Sequence, residues 1–311
     1  MASPLFAATR SFWAGITPTQ RGLILMATAS CSSTCMNAAI RHLTTVGDLH
    51  PFAVGFFRSA LSLVMMSTVL MHAGFAPLRT TKIGFHVLRA ALNLGAMLLF
   101  IMGLSLEPLA RVTALGFTTP LFATVAAWLI LRESMHATRV IGFFTGLVGA
   151  CIILRPGFDA VGIGAMYVIG SCLIWAFALV DIKHLTKTES SVTITLYAML
   201  LQTPMALAPA LLHWSWPNLE QLAWLTAAAA FGISGQMFLS QAFREADATA
   251  VMPVDFVKLI WASMLGFVLF GEIPNVWTWI GGSIVFGSVL YVALRDHRAR
   301  KSAAAPPLNQ P

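Results

Sequence analysis

The sequence predicts an all-α membrane protein of ten transmembrane helices in two inverted-topology five-helix repeats. Three observations carry that prediction. Of the 311 residues 58% are hydrophobic and 10% charged, with a mean hydropathy of +0.79, far from the roughly 45–50% apolar and about 25% charged of soluble domains. Ten apolar stretches approach or reach the roughly 20 residues a helix needs to cross a hydrocarbon core about 30 Å thick. Two of these stretches end alike, Ile40-Arg41-His42-Leu43-Thr44 and Ile182-Lys183-His184-Leu185-Thr186, and Gly22 and Gly164 open both in one register. Five spans per copy is an odd number, so the second copy enters the bilayer upside down relative to the first.

In order, the spans run over 22–40, 52–72, 84–106, 111–131, 140–154, 164–182, 192–213, 221–243, 248–270 and 276–294. The first resembles a signal peptide, because Arg10 and Arg21 precede it and Ala27-Thr28-Ala29 looks like a cleavage box. Only Gly22 to Met26 separates Arg21 from that box, short of the roughly 7–15 apolar residues of a signal core, so it is retained as a span. Pro120 and Pro253 fall in the repeat-related fourth and ninth spans. Each removes a backbone hydrogen bond and leaves either a passive kink or a gating hinge. Gly142, Gly146 and Ala150 step along one face of the fifth span, and Ser283 and Gly287 along the tenth, small-residue seams for close packing within a monomer. The segments are therefore 1–20, cytoplasmic; 21–155, first repeat; 160–297, second repeat; and 298–311, a disordered cytoplasmic tail.

Orientation follows from the basic residues, which accumulate in cytoplasmic connections. One side carries Arg10, Arg21, Arg79, Lys82, Arg132, Arg139, Lys183, Lys187, Arg244, Arg295, Arg298, Arg300 and Lys301; the other carries Arg41, Arg111 and Arg155. This 13-to-3 split puts both termini in the cytoplasm. The net charge of +7 is thus a topology signal rather than a nucleic-acid footprint. Cys31, Cys35, Cys151 and Cys172 lie in apolar helical stretches without acidic or His companions, so they read as small hydrophobes, and no metal is expected.

Further echoes extend the repeat. Ala110-Arg111-Val112-Thr113-Ala114 recurs as Ala246-Asp247-Ala248-Thr249-Ala250, and Glu133 and Glu272 close the fourth and ninth spans nine residues ahead of Gly142 and Gly281. With Leu131-Arg132-Glu133 and Phe270-Gly271-Glu272, the arrangement resembles the ten-helix EamA-type members of the drug/metabolite transporter superfamily over about residues 20–297. Arg132 replaces the glycine that precedes the glutamate in the second copy. Length and aromatic content look most like the amino-acid exporters of the YddG type. The resemblance implies a basket whose third, fourth, eighth and ninth helices line a central cavity.

Lys258 is the costliest residue in the chain. It is the eleventh residue of the ninth span, about 15 Å in, where insertion scales put a lysine at roughly +2.5 to +3.5 kcal/mol. Asp255 sits three residues earlier on the same face. Either the two neutralise each other and lock the ninth helix, or Lys258 meets a substrate carboxylate while Asp255 tunes it or meets an amine. Asn93, Gln236 and Ser240 could complete such a pocket or bond between helices, and Trp175 and Trp261 offer flat walls or ordinary packing. Arg58 and Arg89, nearer their span ends, are expected to snorkel, and Asp181 to pair at the interface with Lys183 or His184. Glu133 and Glu272 are placed to cap the fifth and tenth helices, beside the packing glycines Gly142 and Gly281.

No His-Glu-x-x-His, Gly-x-Ser-x-Gly or Gly-x-x-x-x-Gly-Lys motif occurs, which disfavours an intramembrane enzyme or a primary pump. The sequence-level expectation is a monomeric inner-membrane secondary transporter without cofactor. It would export amino acids and related small metabolites by alternating access; export of drugs, purines or nucleotide-related compounds on the same fold is the alternative.

Overall fold

The computed structural model describes residues 17–73, 80–131, 137–154, 162–185, 188–189, 191–246 and 251–304, which are helical with short connections and include no strand. The helices are α1 (Pro18–Thr45), α2 (Pro51–Ala73), α3 (Ile83–Leu106), α4 (Leu109–Gly116), α5 (Thr119–Leu131), α6 (Ala137–Leu154), α7 (Ile163–Leu185), α8 (Ser191–Leu211), α9 (Leu219–Glu245), α10 (Val257–Phe270) and α11 (Val276–Ala304). A 3-10 turn, Met252–Phe256, leads into α10. Seven spans meet the full length and hydropathy for crossing a membrane, the joined α4–α5 stretch among them, and Pro51–Ser67 and Val140–Leu154 are shorter apolar helices. Local chemistry sets the starts: Thr17 with Gln20 and Asn218 with Gln221 form capping boxes at α1 and α9.

Packing displays the repeat directly. Helix α1 lies on α9 and its equivalent α7 on α3; α10 lies on α1 and its equivalent α5 on α7; α3–α8 is matched by α9–α2. The pairs α2–α8 and α6–α11 each join a helix to its own repeat partner, and α4–α10 joins opposite halves of the repeat-related fourth and ninth spans. A two-fold axis relating the halves accounts for these matched pairs and for the two self-paired ones. The halves are inverted, because Gly142 meets Val292 and Ser288 while Gly149 meets Gly281 and Val285. Numbers rise along α6 as they fall along α11, so these equivalent helices are antiparallel.

Gly22 and Gly164, in register in the sequence, hold equivalent crossings. A Cβ on Gly22 would stand 2.7 Å from Ala246 Cβ, and one on Gly164 the same distance from Leu106 Cβ. His184 stacks on Phe85 at the start of α3, while Arg41 bonds the Leu104 carbonyl near its end. Those positions are about 29 Å apart along the helix, so the repeat-related connections lie on opposite faces.

Several details differ from the sequence expectation. The tenth-span seam is carried by Gly281, Val285, Ser288 and Val292, whereas Ser283 and Gly287 are exposed. Helix α11 continues to Ala304, into the stretch expected to be a disordered tail, because Arg, Lys and Ala sustain a helix. Residues 305–311 lie outside the described set. The fourth span is divided at Phe117–Thr118, where Phe117 and Thr118 donate to Ala114 and Leu115 in 3-10 fashion. Pro120 follows in the first turn of α5, and Pro253 lies in the 3-10 turn before α10. Both prolines begin a segment, where a missing N–H costs least, rather than kinking a continuous helix.

Candidate functional site

The 3-10 turn places Asp255 just ahead of α10, where free N–H groups favour a carboxylate. Lys258 Nζ lies 2.6 Å from Asp255 Oδ1, with side chains 27% and 25% exposed. Ser30 of α1, itself fully buried, donates to the same oxygen at 3.1 Å. Immediately beside Asp255, Phe256 stacks on Phe117 at 5.8 Å and approaches Phe286 of α11 at 4.7 Å. The two modified spans thus meet ring to ring next to the charged pair.

Two buried polar atoms near this level have no partner among the described residues, Asn37 Oδ1 on α1 and Trp261 Nε1 on α10. Asn37 is seven residues beyond Ser30 and Trp261 six beyond Asp255, displacements of about 10 Å along two packed, parallel helices. Asn37 is missing from the sequence expectation. A signal existed for it, since Ser30, Thr34, Asn37 and Arg41 recur at spacings of four, three and four on one face of α1.

The other expected residues are scattered. Asn93 donates to Gln202 Oε1 of α8, and Gln202 Nε2 reaches Met97 Sδ at 3.1 Å and Ser59 Oγ at 3.5 Å. Gln236 and Ser240 are exposed on α9, where the Ser240 hydroxyl returns to the Gln236 carbonyl at 2.9 Å. Trp175 is partly buried on α7. Among the described residues no hydrogen bond or ring contact joins any of these to Asp255 and Lys258.

Arg58 does not snorkel. It turns inward from α2, donates to Met97 Sδ of α3 and lies beside Gly232 of α9. Arg89 likewise stays inside, with Nε and Nη1 buried and without a hydrogen-bond partner among the described residues, and its charge lies near that of Asp181 across the α3–α7 contact. Asp181 is only 7% exposed and its Oδ2 has no hydrogen-bond partner among the described residues, while the side chain of Lys183, one of its two expected partners, lies outside that set.

Glu272 differs in its target. It accepts from Leu109 N at 2.9 Å and pairs with Arg41, so it caps α4 of the first repeat rather than α11. Asn275 takes the Trp277 N–H at α11 instead, at 3.1 Å. Arg41 also bonds the Leu104 and Glu107 carbonyls and covers the Phe270 ring. Glu107 binds Arg111 at 3.0 Å and the Ala165 N–H at 3.1 Å. Glu133 lies outside the described residues. Among them no three His, Cys, Asp or Glu side chains converge as a metal site.

A ten-span inverted repeat with a charged pair at a modified helix start defines a membrane transporter architecture. The chain belongs to the EamA-like transporter family, whose model matches residues 20–155 and 162–294. It is 31% identical over 276 residues to a riboflavin transporter of Vibrio cholerae, covering 88% of this chain and 92% of that one. A riboflavin transporter of Brucella anthropi is 29% identical, over 88% and 99% of the two chains. An S-adenosylmethionine uptake transporter of Rickettsia prowazekii is 27% identical, over 82% and 86%. One crystal structure superposes with a TM-score of 0.60 at 15% identity, over 89% of this chain and 98% of that one, which concerns the fold alone.

Proposed function

We propose that this protein is a secondary transporter moving a planar nitrogen heterocycle with a polar chain across a bacterial inner membrane by alternating access. Its basic N-terminal face lies in the cytoplasm. The observation that carries the reading is the Asp255–Lys258 pair, about one quarter exposed in mid-bundle and flanked by aromatic rings. A charge at that depth is costly unless a ligand or wet cavity meets it.

Relatives that carry riboflavin and S-adenosylmethionine support the cargo class. Both molecules attach a fused nitrogen heterocycle to a hydroxylated five-carbon unit. The ring suits the aromatic side chains, and an amino-acid head, where present, suits Lys258 with its carboxylate and Asp255 with its ammonium. Amino-acid export, the expectation from the YddG resemblance, is not a cargo those relatives name; an amino-acid head group is what such cargoes share with S-adenosylmethionine, and riboflavin lacks it.

The test is counterflow in proteoliposomes preloaded with riboflavin, S-adenosylmethionine or tryptophan, with and without a pH gradient. Exchange of at least one of the two heterocycles is expected. Lys258→Ala should lower S-adenosylmethionine exchange about tenfold, the equivalent of one charge-assisted hydrogen bond, at unchanged folded yield. Exchange of tryptophan alone would replace the cargo class, and loss of folded Lys258→Ala protein would make the pair structural.

A further inference from the structure

Arg58 is a membrane-embedded cation with no counter-charge among the described residues. Among the described residues no carboxylate pairs with it; its Nε is buried and unpartnered, and a thioether sulfur is the acceptor it holds. Guanidinium carries five N–H donors in a rigid fork, so most of its capacity is vacant. The surroundings are polar and neutral: Ser59 on the same helix, and Asn93 with Gln202 joined through Met97. The absence of a side chain at Gly232 keeps the opposite wall open, since a Cβ there would approach Met36 Sδ at 3.0 Å and Arg58 Nη1 at 4.0 Å. Arg58 is partly exposed, and its guanidinium points between α3 and α9, toward the inside of the bundle.

Such a setting suits one partner. A fork of donors beside neutral amides receives a planar edge with two adjacent acceptor atoms, and the fit is lost for a cation. We infer that Arg58, with Gln202 and Asn93 behind it, is a second ligand station that binds a planar two-acceptor edge of the transported molecule. This rests on the transport reading above. A carboxylate presents that edge, as does the adjacent carbonyl oxygen and ring nitrogen of an isoalloxazine. Ser30 and Met36 mark the two stations on α1, and six residues separate them by about 9 Å, the length of a tricyclic ring. One end of a cargo at Lys258 therefore leaves its other end within reach of Arg58's level.

The experiment uses the purified full-length protein in nanodiscs, with thermal unfolding as the readout. Wild type, Arg58→Met and Arg58→Lys are compared alone and with riboflavin, S-adenosylmethionine or sodium acetate, a bare planar acceptor, at constant ionic strength. An unpaired buried cation opposes folding, so Arg58→Met is expected to unfold at higher temperature than wild type without ligand and to lose the ligand-induced shift. Arg58→Lys should keep a shift but need about tenfold more ligand, because an ammonium is a point charge. A ligand-free Arg58→Met protein that unfolds at lower temperature, or one that keeps the wild-type shift, overturns the inference. Should acetate alone stabilise wild type and not Arg58→Met, the station stands and the heterocycle reading falls. If none of the three probes shifts wild type, the station itself is rejected.

Discussion

The Arg41–Glu272 network and the Asp255–Lys258 pair hold the same chemistry at opposite degrees of completion. At the face opposite the N-terminus, Arg41 is 12% exposed and Glu272 14%; the guanidinium reaches two carbonyls, a carboxylate and an aromatic face, and the carboxylate also caps α4. In mid-bundle, among the described residues, Lys258 has one carboxylate, Asp255 has one hydroxyl besides, and Asn37 Oδ1 and Trp261 Nε1, about two turns further along, have no partner. Arg41 leaves its Nε unpartnered among the described residues, but both of its terminal nitrogens are engaged; charges so nearly saturated hold helices together, whereas charges with vacant donors and acceptors are free to exchange partners. The first cluster ties α1, α3, α4 and α10 at their ends, and the second leaves the middle able to open.

The largest effect should come from breaking the saturated cluster. Glu272→Ala strands Arg41 in a buried setting and removes the α4 cap, a combination worth about 3–5 kcal/mol. Folded yield and thermal unfolding of the purified protein measure it. Lys258→Ala, by contrast, should barely move stability while it impairs transport. Equal destabilisation by both substitutions would erase the distinction between the two regions.

Much of this contrast was hidden from the sequence. Span number, repeat and inversion were legible because hydrophobic length and the Arg41/Lys183 echo are properties of the chain alone. The cost of Lys258 was legible for the same reason, since depth follows from counting residues. Arg58 was misread because a snorkelling argument uses only depth along its own helix, whereas its direction is set by Met97 and Gly232. The sequence likewise placed Glu272 before α11, but its partners come from 163 and 231 residues away. The sequence named Gly142 and Gly281 as packing glycines, yet drew the small-residue seam of the tenth span through Ser283 and Gly287 instead of along the stripe through Gly281 that α6 meets.

That stripe sharpens the comparison at intermediate size. Around Gly281 two of the three nearest opposing atoms are backbone: a Cβ would stand 2.5 Å from the Gly149 carbonyl oxygen and 3.0 Å from Ile153 N, with the Ile153 Cγ1 at 2.6 Å. Backbone cannot rotate away, so Gly281→Val should separate α6 from α11 at a cost of about 1–3 kcal/mol. Gly287→Val on the same helix meets open space and should be silent. If the seam is fixed scaffold, Gly281→Val lowers the unfolding temperature without altering the affinity of the remaining folded protein for its cargo. A changed affinity would place the seam among the moving parts.

The smallest expected effect tests whether the face opposite the N-terminus is uniformly fixed. His50 precedes α2, where its Nδ1 accepts the Phe52 N–H at 3.3 Å and its ring stacks on His213 at 3.8 Å. Burial first, and the neighbouring His213 second, push the His50 pKa below its ordinary value. The bond to Phe52 also requires Nδ1 to be unprotonated. Because the folded form binds the proton less readily than the unfolded chain, this group's contribution is complete above the unfolded value near 6.5 and declines as pH falls through the lower folded value. Thermal unfolding between pH 7.5 and 5 should show a shallow loss of stability in wild type. His50→Asn keeps a side-chain acceptor for the helix start but does not titrate, so it should flatten that slope. An unchanged slope would move the acid sensitivity to another group and leave the His50–His213 stack as simple packing, joined to the saturated region rather than set apart from it.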